Sequence, residues 1–216
     1  MAGAEATAVL AVISSIISIV HGTTQIYDAE TDTHGLPEAF SEVADRLPIV
    51  RAVLGSAKHY IEGGYSDEES CHGARPVIEN CKMKAKKVEE LFRIVMSGDG
   101  APRAEKYIAA ARTLGRGSQV EALMKGMLED LQQFAINHEM AALTEAQQKD
   151  IADAIEELGA LPSSIPDQVN EGSRFSAFHS GSGAINQSQG NMYNIGSGQF
   201  YQAQNMNFGS NGKRWI

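Results

Sequence analysis

Apolar side chains recur every three or four residues along most of the first 160 positions, which is the spacing of one face of an α-helix. The first such series begins near Ala4, and His34-Gly35-Leu36-Pro37 ends it. The aliphatic residues that mark this predicted helix are Val9, Leu10, Ile13, Ile16, Ile17 and Val20. No segment before Ile165 keeps a period-two alternation bounded by turn signals. The pattern therefore predicts an all-α fold, a multi-helix bundle of about five to six helices.

A second helix is predicted to begin at Pro37, because proline suits the first turn of a helix. Its apolar positions run at helical spacing from Phe40 to Leu54, and we expect the helix to continue through Pro48. The pair Gly63-Gly64 ends it.

Later helix starts are marked by capping boxes, in which Ser or Thr is followed three residues later by Glu or Gln. The boxes are Ser66 with Glu69, Ser118 with Glu121, and Thr144 with Gln147. We expect the helical region after the first box to be interrupted between Gly73 and Pro76. The last helix is predicted to end near Gly159, so that the helical domain spans residues 1–160.

Charge separates this domain from the rest of the chain. The chain carries 18 Lys and Arg against 27 Asp and Glu, a net charge of −9, which argues against a nucleic-acid-binding protein. No Asp, Glu, Lys or Arg lies between Phe175 and Gly212. We therefore predict a linker over residues 161–174 and a separate assembly segment, called the tail below, over residues 175–212.

The tail contains an internal repeat, because a shift of 15 residues aligns Gly181-Ser182-Gly183 with Gly196-Ser197-Gly198. The repeated positions are Gly181, Gly183, Ile185, Gln187, Gln189 and Tyr193, followed by Gly196, Gly198, Phe200, Gln202, Gln204 and Phe208. Gln side chains form hydrogen-bonded ladders between in-register strands, and periodic apolar residues form a dry seam. We predict a tail that is disordered alone and assembles with other copies as a cross-β solenoid of two rungs. A solubilising low-complexity linker is the alternative.

The sequence contains no recognisable catalytic motif, so we expect a protein that is not an enzyme and takes no cofactor. Cys71-His72 and Cys81 do not match the spacing of a zinc site, and we predict no metal site. Thiols packed on or near a helix are the simpler interpretation of these cysteines.

A cytoplasmic location is favoured, since two cysteines cannot form a disulfide framework and no basic segment precedes the first apolar stretch. The one basic cluster consists of Lys82, Lys84, Lys86 and Lys87, with Glu79, Glu89 and Glu90 among and beside them. Mixed charges of this kind are typical of a solvated helix face, and contact with anionic lipid is the alternative.

Small side chains form a stripe along the first predicted helix, at Ala4, Ala8, Ala11, Ser15, Ser18 and Gly22. Such a stripe lets helix backbones approach closely in a soluble core or in a membrane assembly. The uncharged apolar stretch from Ala6 to Val20 has 15 residues, fewer than the roughly 20 of a spanning helix, which disfavours a constitutive membrane protein. Two interpretations stay open: an ordinary core helix, and a helix that is buried at rest and released onto a membrane on assembly.

Three segments resemble the fungal SesA-type domain, which is typically found at the N-terminus of NACHT and other P-loop NTPase receptors. They are residues 13–57, DEESCHGARPVIENCKMKAKKVEELF and GSQVEALMKGMLEDLQ, with GLPEAF and RLP as anchors. The resemblance covers roughly residues 5–140. The stretch from about Phe175 to Gly209 is similar to the sigma motif, an amyloid-forming signalling segment of fungal NACHT proteins and of effectors encoded beside them.

This resemblance implies a free-standing effector in fungal programmed cell death of the heterokaryon-incompatibility type. A separate NACHT receptor with a matching motif would template the tail, and the tail would also associate with copies of itself. By analogy with HeLo-type domains, the first helix would then act on the plasma membrane. The alternative is a non-toxic adaptor whose helical domain recruits other proteins by helix packing.

Overall fold

The computed structural model describes residues 3–30, 34–98, 100–115, 117–137, 140–141 and 143–165. Within these ranges the chain is helical and contains no strand, which confirms the all-α prediction for this part. Six helices have twelve residues or more: α1 (Ala4–Asp28), α3 (Leu47–Glu62), α4 (Glu68–Met96), α5 (Arg103–Leu114), α6 (Val120–Gln132) and α7 (Glu145–Ala160). Helix α2 (Glu38–Ala44) is short, and a π-helical turn (Gln133–Asn137) extends α6.

The predicted second helix is in fact two helices, α2 and α3. Asp45 and Arg46 separate them, and Pro48 lies in the first turn of α3. A proline is tolerated there because the first N–H groups of a helix have no partner within the helix. The prediction of one continuous helix through Pro48 was therefore wrong.

The predicted interruption between Gly73 and Pro76 was also wrong, since α4 is continuous over 29 residues with Pro76 inside it. The proline removes one N–H donor from the helix, at a cost of about 3 kcal/mol. Ala74 and Ile78, on either side of it, are fully buried. Burial of this face on the rest of the bundle offsets the cost.

One of the three predicted capping boxes is present in full. The Thr144 side chain accepts the N–H of Gln147, and the Gln147 side chain accepts the N–H of Thr144. The Ser66 box was wrong by one residue, because Asp67 is the N-cap of α4 and accepts the N–H of Ser70. The Ser118 box was wrong as well: α6 begins after Gln119 without a side-chain cap.

Helix α4 is the centre of the bundle, and α1, α5 and α6 all pack on it. Helix α1 runs in the same direction as α4, since Glu5 lies beside Arg75 near the start of both and Tyr27 beside Phe92 near the end. Helix α3 also packs on α1, and α7 packs on α6 and α3. The Arg46 guanidinium ties α7 to the α2–α3 junction, because it lies 2.7 Å from carboxylate oxygens of both Glu42 and Glu157.

Four aromatic rings, called the aromatic row below, connect four helices in series. Tyr27 of α1 contacts Phe92 of α4 with the ring centroids 6.0 Å apart. Phe92 contacts Phe40 of α2 at 4.9 Å, and Phe40 contacts Tyr107 of α5 at 5.0 Å in a near-perpendicular arrangement. Edge and tilted ring pairs at such distances each add about 1 kcal/mol beyond the area they bury.

Candidate membrane-directed helix and its supports

The structure divides the six aliphatic residues predicted for the first helix into two groups. Val9, Ile13, Ile16 and Val20 are buried in the core, with at most 2% of each residue exposed. Leu10 and Ile17 are partly buried and pack against the core from its edge. At rest, α1 is therefore a helix of the bundle wall with one fully buried stripe.

The outward face of α1 carries no charge over most of its length. The exposed residues of the helix are Ala4, Thr7, Ala11, Ser18, His21, Gln25 and Asp28, and no Asp, Glu, Lys or Arg lies between Glu5 and Asp28. The helix continues eight residues past Val20, so it is longer than the apolar stretch of 15 residues from Ala6 to Val20. By length and composition α1 could cross a membrane, and it is the one such helix in the described part.

Hydroxyl groups on α1 donate to the backbone of the same helix. Thr7, Ser18, Thr23 and Thr24 each donate to the carbonyl oxygen four residues earlier, at 2.9–3.0 Å. A hydroxyl satisfied in this way costs less to remove from water than a free one, because its donor keeps a partner. These four polar side chains are therefore compatible with both a soluble and an apolar environment.

The N-terminal end of α1 is held by the first turns of α4. The Glu68 carboxylate accepts the backbone N–H of Glu5 at 3.1 Å, and it lies so close to Gly3 that an added Cβ would fall 1.6 Å from it. The Glu5 carboxylate in turn lies 3.4 Å from the Arg75 guanidinium and 3.6 Å from Nδ1 of His72. No side chain of α1 itself caps this end, so α4 supplies the carboxylate that complements its free N–H groups.

The C-terminal end of α1 is held by α4 and α5. Tyr27 packs on Phe92, and the Glu30 carboxylate just beyond the helix lies 2.9 Å from the guanidinium of Arg103. Both of these charged side chains are about four-fifths buried, which limits screening of the pair by solvent. An ion pair with α4 or α5 therefore stabilises each end of α1.

A short segment after α7, Ser163–Ile165, is called the strap below, because it crosses α5 and α6. The carboxylate of Glu121, itself only 6% exposed, accepts the backbone N–H of Ser164 at 2.8 Å and its hydroxyl at 2.6 Å. Ile165 is 2% exposed. The end of the described chain is thus bound to the bundle by both polar and apolar contacts.

Tyr107 links the strap to the aromatic row. Its hydroxyl accepts the N–H of Val120 at 3.0 Å and lies 2.6 Å from the Ser164 hydroxyl. Because Ser164 already donates its proton to Glu121, Tyr107 is the donor to Ser164. Burial raises the pKa of Tyr107 to about 12. The result is an unbroken series of donors and acceptors from Val120 to Glu121.

Sequence reasoning missed this network because it assigned Glu121 to a local capping box. One available signal was the position of Glu121, beside Val120 and one turn from Met124 on the apolar face of α6. A carboxylate on a buried face requires donors from elsewhere in the fold. Its donor, Ser164, is 43 residues away and no local pattern identifies it.

The two cysteines and the basic cluster of α4 contribute to the packing of the bundle. Cys71 and Cys81 are buried free thiols, and no cluster of potential metal ligands occurs among the described residues. In the basic cluster, Lys84 pairs with Asp130 of α6 at 2.6 Å and Lys87 donates to the Leu114 carbonyl at 3.3 Å. Part of that cluster therefore joins α4 to its neighbours, which differs from the solvated face we expected.

The twelve repeat positions of the tail, from Gly181 to Phe208, lie outside the described residues. The prediction that the tail assembles as a cross-β solenoid therefore stays a prediction.

The GLPEAF and RLP segments, which anchor the resemblance described above, contribute contacts that hold the helices together. Phe40 lies at the centre of the aromatic row, Arg46 bridges α2 and α7, and Leu47 is buried at the start of α3. The chain matches no curated protein and no solved structure significantly. The profile of the SesA family, described as the N-terminal domain on NACHT NTPases and P-loop NTPases, matches residues 13–134. This match covers more than half of the chain, and the protein therefore belongs to the SesA family.

Proposed function

We propose that this protein is an effector of fungal NLR-type programmed cell death, activated when a NACHT receptor templates assembly of its tail. At rest, the helical domain lies in the cytoplasm and retains α1. A receptor with a matching motif supplies a preformed β-template, on which the tails of many copies stack. The helical domains are thereby concentrated, and α1 leaves its domain and enters the plasma membrane.

The family supports the signalling context of this proposal. A SesA domain is by description the N-terminal domain on NACHT and P-loop NTPases, which links the chain to NACHT-type partners. The amyloid template and the membrane step are our extension of that link.

The tail supports the templating step through its sequence. Two 15-residue units without Asp, Glu, Lys or Arg place glutamine and apolar residues at matched positions. Uncharged segments stack without electrostatic repulsion, and identical side chains form ladders. Ordering such a chain costs roughly 1–2 kcal/mol per residue, so spontaneous nucleation is slow and a preformed template accelerates assembly.

The observation that carries the membrane step is the composition of α1 together with its place in the wall of the bundle. A surface helix normally presents charged residues to water, but the outward face of α1 has none between Glu5 and Asp28. In the most apolar 18-residue window of this helix, 33% of the residues are buried. Four of its hydroxyl groups donate to backbone carbonyls four residues earlier, so these groups keep a partner when the helix enters lipid.

The test uses the full-length chain, preformed fibres of a peptide of residues 175–212 as the seed, and dye-loaded vesicles of phosphatidylcholine and phosphatidylserine. We expect seeded wild-type chain to form fibres with cross-β diffraction and to release the dye. The Ser18→Lys variant should fold and form fibres but release little dye. Ser18 is exposed on α1, and a lysine there costs about 3 kcal/mol at the centre of a bilayer.

Two control variants separate the membrane step from the assembly of the tail. Ala152→Lys places the same charge on the exposed face of α7 and should leave dye release unchanged. The double variant Gln187→Lys, Gln202→Lys should form no fibres, because like charges would lie in register. Fibres without dye release would support the adaptor function instead, and a chain that stays soluble with seed would refute templated assembly.

A further inference from the structure

The strap occupies the point where the helical domain continues toward the tail. Ser164 and Ile165 are the last described residues, and both are bound to the bundle, Ser164 by Glu121 and Ile165 by the hydrophobic core. In the described part of the chain, the strap is the last segment before the tail. These contacts are therefore a point at which a change in the tail can act on the helices.

The docked strap supplies hydrogen-bond donors to the buried carboxylate of Glu121. Ser164 donates two hydrogen bonds to the Glu121 carboxylate, at 2.8 and 2.6 Å. A buried carboxylate that loses its donors is strongly destabilising, because its charge is then neither solvated nor paired. Undocking of the strap therefore takes both Ser164 donors from Glu121, and water must replace them.

The aromatic row connects the strap to α1. The Tyr107 hydroxyl binds Ser164, the Tyr107 ring packs on Phe40, and Phe40 packs on Phe92, which contacts Tyr27 near the end of α1. Each step is a direct contact between buried or partly buried groups. Closely packed interiors transmit small displacements, since no free volume absorbs them.

We propose that the strap is an internal latch whose docking on Glu121 and Tyr107 stabilises the C-terminal end of α1 through the aromatic row. In the proposed function, this latch regulates the release of α1, and its biological role rests on that proposal. Withdrawal of the strap loosens Tyr107, and the loss of ring packing along the row weakens the hold on α1. Assembly of the tail and release of α1 are thereby coupled within one chain.

The test is hydrogen–deuterium exchange on the soluble full-length chain, without seed or lipid. We expect Ser164→Ala to raise the exchange rate of the Val120 amide roughly tenfold, because the hydrogen bond that positions Tyr107 is lost. It should also raise exchange in the last turn of α1, residues 24–28, by about threefold. Ser163→Ala is the matched control, since that hydroxyl donates only to Ile165 within the strap and should change neither rate.

A second variant tests whether the effect of the strap on α1 passes through Tyr107. Tyr107→Phe removes the hydroxyl but keeps the ring, so it separates the strap from the row without creating a cavity. In this background Ser164→Ala should have no further effect on α1, whereas the two effects would add if they were independent. Faster exchange confined to α5 and α6 would overturn the coupling, and unchanged exchange everywhere would overturn the latch. Neither result depends on fibre formation, which is measured separately with seed.

Discussion

The carboxylate of Glu68, at the first position of α4, accepts the backbone N–H of Glu5 in the first turn of α1. One helix thus caps another that lies 63 residues away in the sequence. Because α1 and α4 run in the same direction, both N-terminal ends meet at one end of the bundle, where carboxylates are stabilised by the free N–H groups of both helices. This contact fixes the start of the candidate membrane-directed helix.

We predict that Glu68→Ala lowers the free energy of unfolding by about 1 kcal/mol, the usual effect of losing an N-cap acceptor. Amide exchange in the first turn of α1 should rise by more than exchange elsewhere. Glu69→Ala is the control, because Glu69 is exposed and its side chain forms no hydrogen bond or ion pair with the described residues of α1. Equal effects of the two substitutions would show that the cap does not stabilise α1.

A polar residue in the buried stripe of α1 should destabilise the whole domain. Ile13→Asn removes a fully buried side chain and buries an amide, so we expect a loss of at least about 3 kcal/mol in the free energy of unfolding. Ser18→Asn, on the exposed side of the same helix, should cost only a few tenths of a kcal/mol. Urea denaturation followed by circular dichroism measures both, and a comparable loss for both variants would contradict the burial of this stripe.

The domain should lose stability above pH 10 in a way that depends on Tyr107. Its pKa is about 12 in the folded chain and near 10 in the unfolded chain, because burial favours the neutral hydroxyl. Between these values the unfolded state has lost the proton and the folded state has not, so the free energy of unfolding falls as pH rises. This contribution is fully present below pH 10 and is lost by about pH 12.

Melting temperatures from pH 9 to 11 test the tyrosine effect, with Tyr107→Phe as the reference. The wild-type melting temperature should fall more steeply with pH than that of the variant. Parallel curves would show that Tyr107 titrates normally in the folded chain.

Both cysteines should resist alkylation in the folded protein. Cys71 and Cys81 are fully buried, and burial is the main cause that raises the pKa of each thiol. We expect iodoacetamide at pH 8 to modify neither thiol until the chain is unfolded in guanidinium, as judged by mass spectrometry. Rapid modification of either thiol without denaturant would show that α4 is exposed in solution.

The sequence predicted what depends on periodicity and missed what depends on distant partners. Helix α1 begins at Ala4 and the Thr144 box is present, since both follow from residues within one helical turn or one face. Pro76 was misread because the burial of Ala74 and Ile78, which outweighs the cost of the proline, is a property of the packed bundle. Glu121 was misread for the same reason, its donor being 43 residues away.

The supports of α1 could not be derived from the sequence for a related reason. Helices α2, α3 and α4 lie between Glu30 and Arg103 in the sequence, and neither residue lies in a recognisable motif. The stripe of small residues predicted close helix contact but not its partner. In the structure, one of its members, Gly22, faces the Glu89 carboxylate of α4, and an added Cβ would lie 3.5 Å from that group.

If α1 leaves the domain as proposed, its parallel placement on α4 determines which surface remains. Ala74, Ile78 and Ala85 of α4 are buried in the bundle that α1 helps to enclose, and removal of this wall would expose apolar surface to water. Such a residual domain would adhere to its neighbours instead of closing again, since exposed apolar surface favours association. Under the proposed function, a chain built in this way would act once, and a new copy would have to be synthesised to restore the resting state.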